Sequence, residues 1–281
     1  MKIKILSDST CDLSEELLKK YDIDMIPLTV VMGERSGKDG IDITPEDIYE
    51  YVEKSGRLPA TSATNIFEYK DCFTKWTDQG YSIVHISLGS GFSSSYQNAS
   101  IAAEDMEEVY VVDSNNLSSG QGLLVLKAGE MKAAGCSARE IYKACMEAAV
   151  KVESSFVIDS LDYLYKGGRC SALATFGGNL LKIKPSIDVK DGKMGPSKKY
   201  RGKIERVIKE YVRERIKGRD DIDTHRIILT HTKCSPEIVK DAYDIIREEI
   251  PDAEEIPVTV AGATVTTHCG PNTLGVMFLR R

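Results

Sequence analysis

Ile83-Val84-His85-Ile86-Ser87-Leu88-Gly89-Ser90-Gly91-Phe92-Ser93-Ser94-Ser95-Tyr96-Gln97-Asn98-Ala99 reads as a strand, a glycine-rich turn and the opening of a helix. The apolar run stops at Ser87, and a helical pattern then continues to about Glu108. A helix start leaves unpaired N–H groups and the positive end of the helix dipole. Gly89 and Gly91 let the backbone come close to a ligand, and Ser93, Ser94 and Ser95 add hydroxyls. The segment therefore reads either as an anion site or as an ordinary serine-capped helix. It is not a phosphate loop of the Gly-Lys-Ser/Thr kind, because that ending is missing. It is not a nucleophile elbow either, since Gly89-Ser90-Gly91 lacks the spacers.

Outward from this unit, the first half alternates strands and helices. Strands are predicted at Ile3–Ser7, Met25–Val31, Val109–Asp113 and Ser155–Ile158, besides Ile83–Ser87. Thr44 and Pro45 start a helix, with Ile43 and Ile48 as its hydrophobic staple and Gly56 as its stop. Ser137 and Glu140 form a capping box for a helix that runs to about Lys151. Strands separated by helices imply mainly parallel pairing with helices on both faces. In such sheets ligands bind beyond the strand ends.

The second half changes character. Ile183–Val189, Asp191-Gly192 and Lys193–Pro196 predict a hairpin. Helices follow at Gly202–Lys217 and from Ser235-Pro236 to before Pro251. Strands are predicted at Ile227–His231, Ile256–Val260 and Leu274–Leu279. The expected fold is α/β: an N-terminal, mainly parallel sheet flanked by helices, with a smaller C-terminal α+β domain and a ligand pocket between them. The boundary falls near residue 160, giving domains 1–160 and 161–281.

A chain of 281 residues can bury a sizeable core. Its net charge of −6 argues against nucleic acid as a general partner. Residues 190–219 nevertheless carry twelve Lys/Arg and four Asp/Glu, an excess of +8. That stretch reads as a solvated face or as a docking surface for an acidic partner or phosphorylated ligand. The seven cysteines lack metal-like spacing, and no C-x-x-C pair exists, so reduced thiols in a cytoplasmic protein are expected. The N-terminal strand is too short and too charged for a signal peptide, and no apolar run reaches membrane-spanning length.

Other segments repeat the theme of hydroxyl, glycine and histidine. Pro59-Ala60-Thr61-Ser62 reads as a turn whose hydroxyls cap a helix starting near Asn65. His268 follows Thr264-Val265-Thr266-Thr267 and precedes Gly270-Pro271, which suggests a chain reversal. Lys166-Gly167-Gly168-Arg169 reads as a helix end with a turn, or as a presenter of Arg169 as a mobile cation. Lys182-Ile183-Lys184-Pro185 leads into an edge strand. Donors set beside apolar runs suit an amphiphile with one acidic head.

Read together, these segments resemble the DegV family. The resemblance rests on Asp8-Ser9-Thr10-Cys11-Asp12-Leu13, Pro59-Ala60-Thr61-Ser62, Ser87 to Gln97 and Val112-Asp113-Ser114. It continues through Leu161 to Arg169, Ile183-Lys184-Pro185 and His268-Cys269-Gly270-Pro271 with Leu274-Gly275, so it covers essentially the whole chain in order. It implies a soluble bacterial fatty-acid-binding protein without catalytic residues, metal or cofactor. Such a protein would present its acid to a separate ATP-dependent fatty acid kinase for acyl-phosphate formation. It further implies a carboxylate held by Thr61, Ser93 and His268, with Thr267 and the backbone around Ser94 assisting and Arg169 facing the kinase. Where the family usually has Leu-Ser-Gly-Thr-Tyr, this chain has Phe92-Ser93-Ser94-Ser95-Tyr96, so a different head-group geometry and chain preference are expected.

Two other functions fit part of the pattern. A serine hydrolase acting on acyl esters would use Ser93 as nucleophile, His268 as base and an acid such as Asp8 or Asp159. A phosphate-ligand enzyme would use the serine-rich turn.

Overall fold

The computed structural model describes residues 2–170 and 183–281. Lys182, at the start of the predicted edge segment, lies outside them. The chain begins β1 (Lys2–Asp8), a 3-10 turn (Ser9–Cys11), α1 (Glu15–Lys20), β2 (Ile23–Ile26), β3 (Thr29–Met32), β4 (Arg35–Lys38), α2 (Pro45–Ser55) and β5 (Ala60–Ser62). It continues α3 (Ile66–Thr77), β6 (Tyr81–Ser87), α4 (Ser95–Ala102), β7 (Val109–Asp113), α5 (Ser118–Ala133), α6 (Ala138–Ala149), β8 (Val152–Val157) and α7 (Asp162–Lys166). The remainder is β9 (Lys184–Lys190), β10 (Lys193–Tyr200), α8 (Ile204–Ile216), β11 (Ile222–Thr232), α9 (Pro236–Glu249), β12 (Val258–Val260), α10 (Ala263–Cys269) and β13 (Thr273–Arg280).

The described residues form three sheets, in the orders β2-β1-β6-β7, β10-β9-β8-β13-β11-β12 and β4-β3-β5. The first is wholly parallel, as the βα alternation predicts. The second is antiparallel apart from the β11–β12 pair.

Period-two alternation sorts each strand between two layers. In the first sheet Ile5, Val84, Ile86 and Val112 pack toward α5 and α6. Leu6 and Ile83 pack the other way, onto Tyr69, Phe73 and Ala99 of α3 and α4. In the second sheet Ile228 and Met277 join the α5 core, whereas Ile227, Leu229, Val276 and Phe278 join α8 and α9. Helix α5 thus lies between the two large sheets. Eleven of its residues are buried, so it shows no amphipathic stripe to read from the sequence. The small third sheet packs Val30 and Met32 against Ile43 and Ile48 of the α2 segment and against Ala263 of α10.

The local start signals hold. Thr44 with Asp47 and Ser137 with Glu140 form capping boxes, and Gly56 ends α2 at φ +66°. Four expectations change. The predicted strand Met25–Val31 splits at Pro27, which has no N–H for a ladder, and its halves β2 and β3 enter different sheets. The predicted strand Ser155–Ile158 runs as Val152–Val157 and pairs antiparallel with β13 and β9, so it belongs to the second sheet. Thr61 and Ser62 lie in β5, and Asn65 caps α3 through a capping box with Glu68. Helix α4 stops at Ala102, short of Glu108.

Since α5 supplies core to both sheets, a cavity within it should be felt throughout. Leu124→Ala is expected to cost about 2–5 kcal/mol in chemical denaturation. A loss below about 1 kcal/mol would show that α5 is not a shared core element.

Candidate functional site

The donor-rich loop after β6 is fixed by a buried carboxylate. Asp8, at the end of β1, is completely buried. Tyr69 Oη donates to it at 2.6 Å, Ser87 Oγ at 2.9 Å and the Leu88 N–H at 2.7 Å, and His85 Nε2 lies at 3.3 Å. Burial alone would raise its proton affinity, but His85 and these donors outweigh it and hold Asp8 below the usual carboxylate range. Asp113 at the end of β7 accepts from the Ser90 N–H at 3.0 Å. Glycine is required here for close approach. A Cβ on Gly91 would stand 2.0 Å from the Gly192 carbonyl oxygen in the β9–β10 turn, and one on Gly89 would stand 2.6 Å from the Asn116 nitrogen.

Ser93 serves the helix and the cleft together. Its Oγ accepts from the Ser95 N–H at 3.2 Å and pairs with Ser95 Oγ at 2.9 Å, while it also lines a cleft. Ser94 is exposed, is not among the cleft-lining residues and takes φ −77°, ψ 2°, which any L residue accepts. A side chain where the family usually has glycine therefore causes no strain.

His268 comes from α10, so the reversal expected at His268 begins only after the helix, at Gly270 (φ +70°) and Asn272 (φ +59°). Thr61 Oγ1 and His268 Nε2 are 2.9 Å apart. Burial, with the Arg169 charge adding to it, pushes the imidazole down to about 4, so the ring is neutral at physiological pH. Among the described residues His268 Nδ1 has no hydrogen-bond partner, and it packs against Gly167, where a Cβ would stand 2.5 Å from it. Thr264, one helical turn earlier on the same face, is 4% exposed and its Oγ1 also lacks a partner among the described residues. Thr267 lies off the cleft, because its hydroxyl donates to the Ala263 carbonyl at 2.9 Å. Arg169 is exposed at the cleft and donates to the Gly167 carbonyl at 2.9 Å, following Gly168 at φ +69°.

These groups meet in a cleft of ≈ 550 Å³, open solvent included, lined by the loops after β1 and β6 and by α10. Thr61, Ser93, Thr264, His268 and Arg169 mark its polar part. Leu28, Leu88, Phe92, Leu117, Leu164, Met194 and Val265 form most of the rest. Thr10 also lines it, with its hydroxyl donated to Gln121 Oε1 at 2.9 Å. Sequence reasoning missed Thr264, because Thr264-Val265-Thr266-Thr267 has strand-like composition. Its spacing of four from His268 becomes a signal only once the segment is known to be helical.

The other constellations do not assemble. Among the described residues Ser93 and His268 share no hydrogen bond, Asp8 is enclosed by its own donors, and Asp159 pairs with Lys184. No orienting acid therefore reaches His268, as a serine hydrolase would need. No metal-competent cluster of His, Cys, Asp or Glu occurs among the described residues, and no disulfide links the cysteines there. Within them no helix is long and apolar enough to cross a membrane. Much of the basic stretch is internally paired: Lys198 with Glu214, Lys209 with Asp241, Arg213 with Glu248 and Glu249, and Arg215 and Arg219 with Glu153.

Comparison with known proteins matches residues 2–281 to the family profile described as "Uncharacterised protein, DegV family". A protein of Thermotoga maritima named "Fatty acid-binding protein" is 33% identical over 286 residues, covering 98% of this chain and 96% of its own. A DegV family structure from Thermus thermophilus, described by its fatty acid binding, superimposes with a TM-score of 0.85 at 26% identity and full coverage of both chains. A stearic acid-binding protein from Eubacterium ventriosum does so with a TM-score of 0.80 at 28% identity, covering 100% of this chain and 98% of its own. With the fold, the cleft and a full-length profile match in agreement, this chain belongs to the DegV family.

Proposed function

We propose that this protein binds a long-chain fatty acid in the cleft and presents its carboxyl end to a separate ATP-dependent kinase that forms the acyl phosphate. The observation that carries the reading is a largely apolar cleft whose polar groups, among the described residues, are hydroxyls, a neutral imidazole, the Cys269 thiol and the Arg169 cation at the rim. The fatty acid binding for which the Thermotoga, Thermus and Eubacterium relatives are named supports it.

The chemistry follows from the donors. Burying a carboxylate costs several kcal/mol unless it is hydrogen-bonded. With the ring proton on Nε2, His268 donates to Thr61 Oγ1 and leaves the threonine O–H free for the acid. Ser93 Oγ supplies a second hydroxyl beside the first N–H groups of α4. Arg169 places a positive charge at the mouth. Each CH₂ of the tail entering the apolar part then adds roughly 0.8 kcal/mol. Phe92, a bulky side chain in the wall, trims the room for that tail.

Three measurements test this reading. The protein purified from a bacterial host should carry about one fatty acid per chain in native mass spectrometry. Only apo protein, with no uptake of added acid, would reject it. In fluorescent fatty-acid titrations Ser93→Ala and His268→Ala should each weaken binding by about 1–3 kcal/mol, because the first removes a donor to the buried head group and the second releases the Thr61 hydroxyl that His268 orients. Thr267→Val should leave affinity within about threefold, since its hydroxyl serves the helix. Wild-type affinity in both site variants would remove Ser93 and His268 from the site.

The kinase arm has its own test. Arg169→Ala, and charge reversal at Arg201 and Arg206 in the basic stretch, should slow kinase-coupled acyl-phosphate production more than they weaken lipid binding. Rim charges set encounter and orientation, whereas buried donors set retention. Unchanged production with a cognate kinase would place the docking face elsewhere.

A further inference from the structure

Helix α10 is held at its first turn by two buried carboxylates from distant parts of the chain. The Gly262 N–H donates to Asp12 Oδ1 at 2.8 Å, and the Ala263 N–H donates to Asp39 Oδ1 at 2.8 Å. Asp12 is 5% and Asp39 2% exposed. A Cβ built on Gly262 would stand 3.3 Å from Asp39 Oδ1 and 3.4 Å from Asp12 Oδ1, so both acids crowd one backbone position. Their remaining oxygens accept from hydroxyls: Ser118 Oγ to Asp12 Oδ2 at 2.5 Å, and Ser9 Oγ to Asp39 Oδ2 at 2.9 Å. The other face of α10 carries the cleft's Thr264 and His268, the first with an unpaired hydroxyl.

Resting on the fatty-acid reading, we propose that Asp12 and Asp39 are positioning residues for the acyl head group, and that protonation of Asp12 tunes how tightly the cleft holds an anion. Neither acid forms an ion pair among the described residues. The titratable groups facing Asp12 are Asp39 and the thiols of Cys11 and Cys269, and both thiols are pushed up to about 12, so they stay neutral. Asp12 itself is pushed up to about 7, first by burial and then by the Asp39 charge against the donations from Ser118 and Gly262. Six residues of helix separate Gly262 from His268, about 9 Å at the helical rise. A charge on Asp12 therefore opposes a carboxylate arriving beside His268 across a poorly solvated interior.

The sign follows by linkage. Between the ordinary carboxylate value of 3.8 and about 7, the folded protein binds a proton that the unfolded chain has lost. Stability contributed by Asp12 therefore falls as pH rises through that window. Carboxylate affinity falls above that window, as pH rises past about 7, where the ligand-free protein loses the proton that the complex keeps, so binding of the acid takes up a proton. The imidazole of His268, at about 4, lies outside a titration run from pH 6 to 8.5.

The test is dodecanoic acid binding by calorimetry at pH 6 and pH 8.5, with thermal unfolding at both. Wild type should bind about threefold to tenfold more tightly at pH 6. Asp12→Asn, which keeps the acceptor and removes the charge, should bind at both pH values as wild type does at pH 6. Asp12→Ala should lose affinity at both by losing the hold on Gly262. Ser118→Ala, which leaves the carboxylate in place but removes a donor to its charged form, should shift the affinity midpoint upward, so the idea stands or falls even if Asp12→Asn fails to fold. Equal wild-type affinity at both pH values, or an Asp12→Asn variant with the wild-type pH dependence, would overturn it. Absence of dodecanoate binding by wild type at any pH would instead reject the fatty-acid reading.

Discussion

The placement of α5 between two sheets is the constraint on which the rest of the architecture depends. A helix buried on nearly every side can face strands on both flanks only if its own side chains fill both interfaces. Leu123, Leu124, Val125 and Leu126 do so, joining Ile5 and Val84 of one sheet to Ile228 and Met277 of the other. Where two loops must come close to this helix or to each other, side chains are absent. A Cβ on Gly122 would stand 2.7 Å from the Cys11 carbonyl. The cleft opens at the N-terminal end of α5, where Leu117 lines it and Ser118 turns back to Asp12. Core and site therefore share one element.

Around that opening, buried carboxylates serve as junctions. Asp8, Asp12 and Asp39 have almost no exposure, yet they are met by hydroxyls and backbone N–H groups rather than by lysine or arginine. A carboxylate accepts from several directions at once, so each acid can tie elements that are remote in the chain. Asp8 joins β1, α3 and the loop after β6. Asp12 and Asp39 join the N-terminal segment to α10. The arrangement leaves the cleft free of fixed negative charge and sets hydroxyls where an acidic head group needs donors. The Asp8-Ser9-Thr10-Cys11-Asp12 segment is thus explained residue by residue: two acids as junctions, Ser9 bound to Asp39, Thr10 in the cleft wall and Cys11 buried in the α5 core.

Local chemistry was readable from the chain because it acts over a few residues. A capping box needs only Thr44 and Asp47, or Ser137 and Glu140, and those helices start where the pattern places them. The β9–β10 hairpin follows from Asp191-Gly192, which take φ values of +50° and +68°. Segments without a local signature escaped. Helix α5 has no stripe, and α10 is built from β-branched residues that suit strands, so tertiary packing overrides their propensity. Charge counts carry no information on pairing for a related reason. Within residues 190–219 Lys198 pairs with Glu214, and from outside the stretch Asp241 pairs with Lys209 and Glu153 with Arg215 and Arg219.

By itself, then, the sequence determined the α/β class, most element starts and the residue types able to hold a small anion beside apolar surface. Periodicity, caps and turns are interactions between near neighbours, and they survive in one dimension. Only the tertiary structure decided which hydroxyls share a cleft. Thr61 and His268 are 207 positions apart. Thr267 turns to its own helix while Thr264, three residues earlier, faces the cleft. Such choices depend on which face of a helix meets which sheet, and that is settled by packing over the whole molecule.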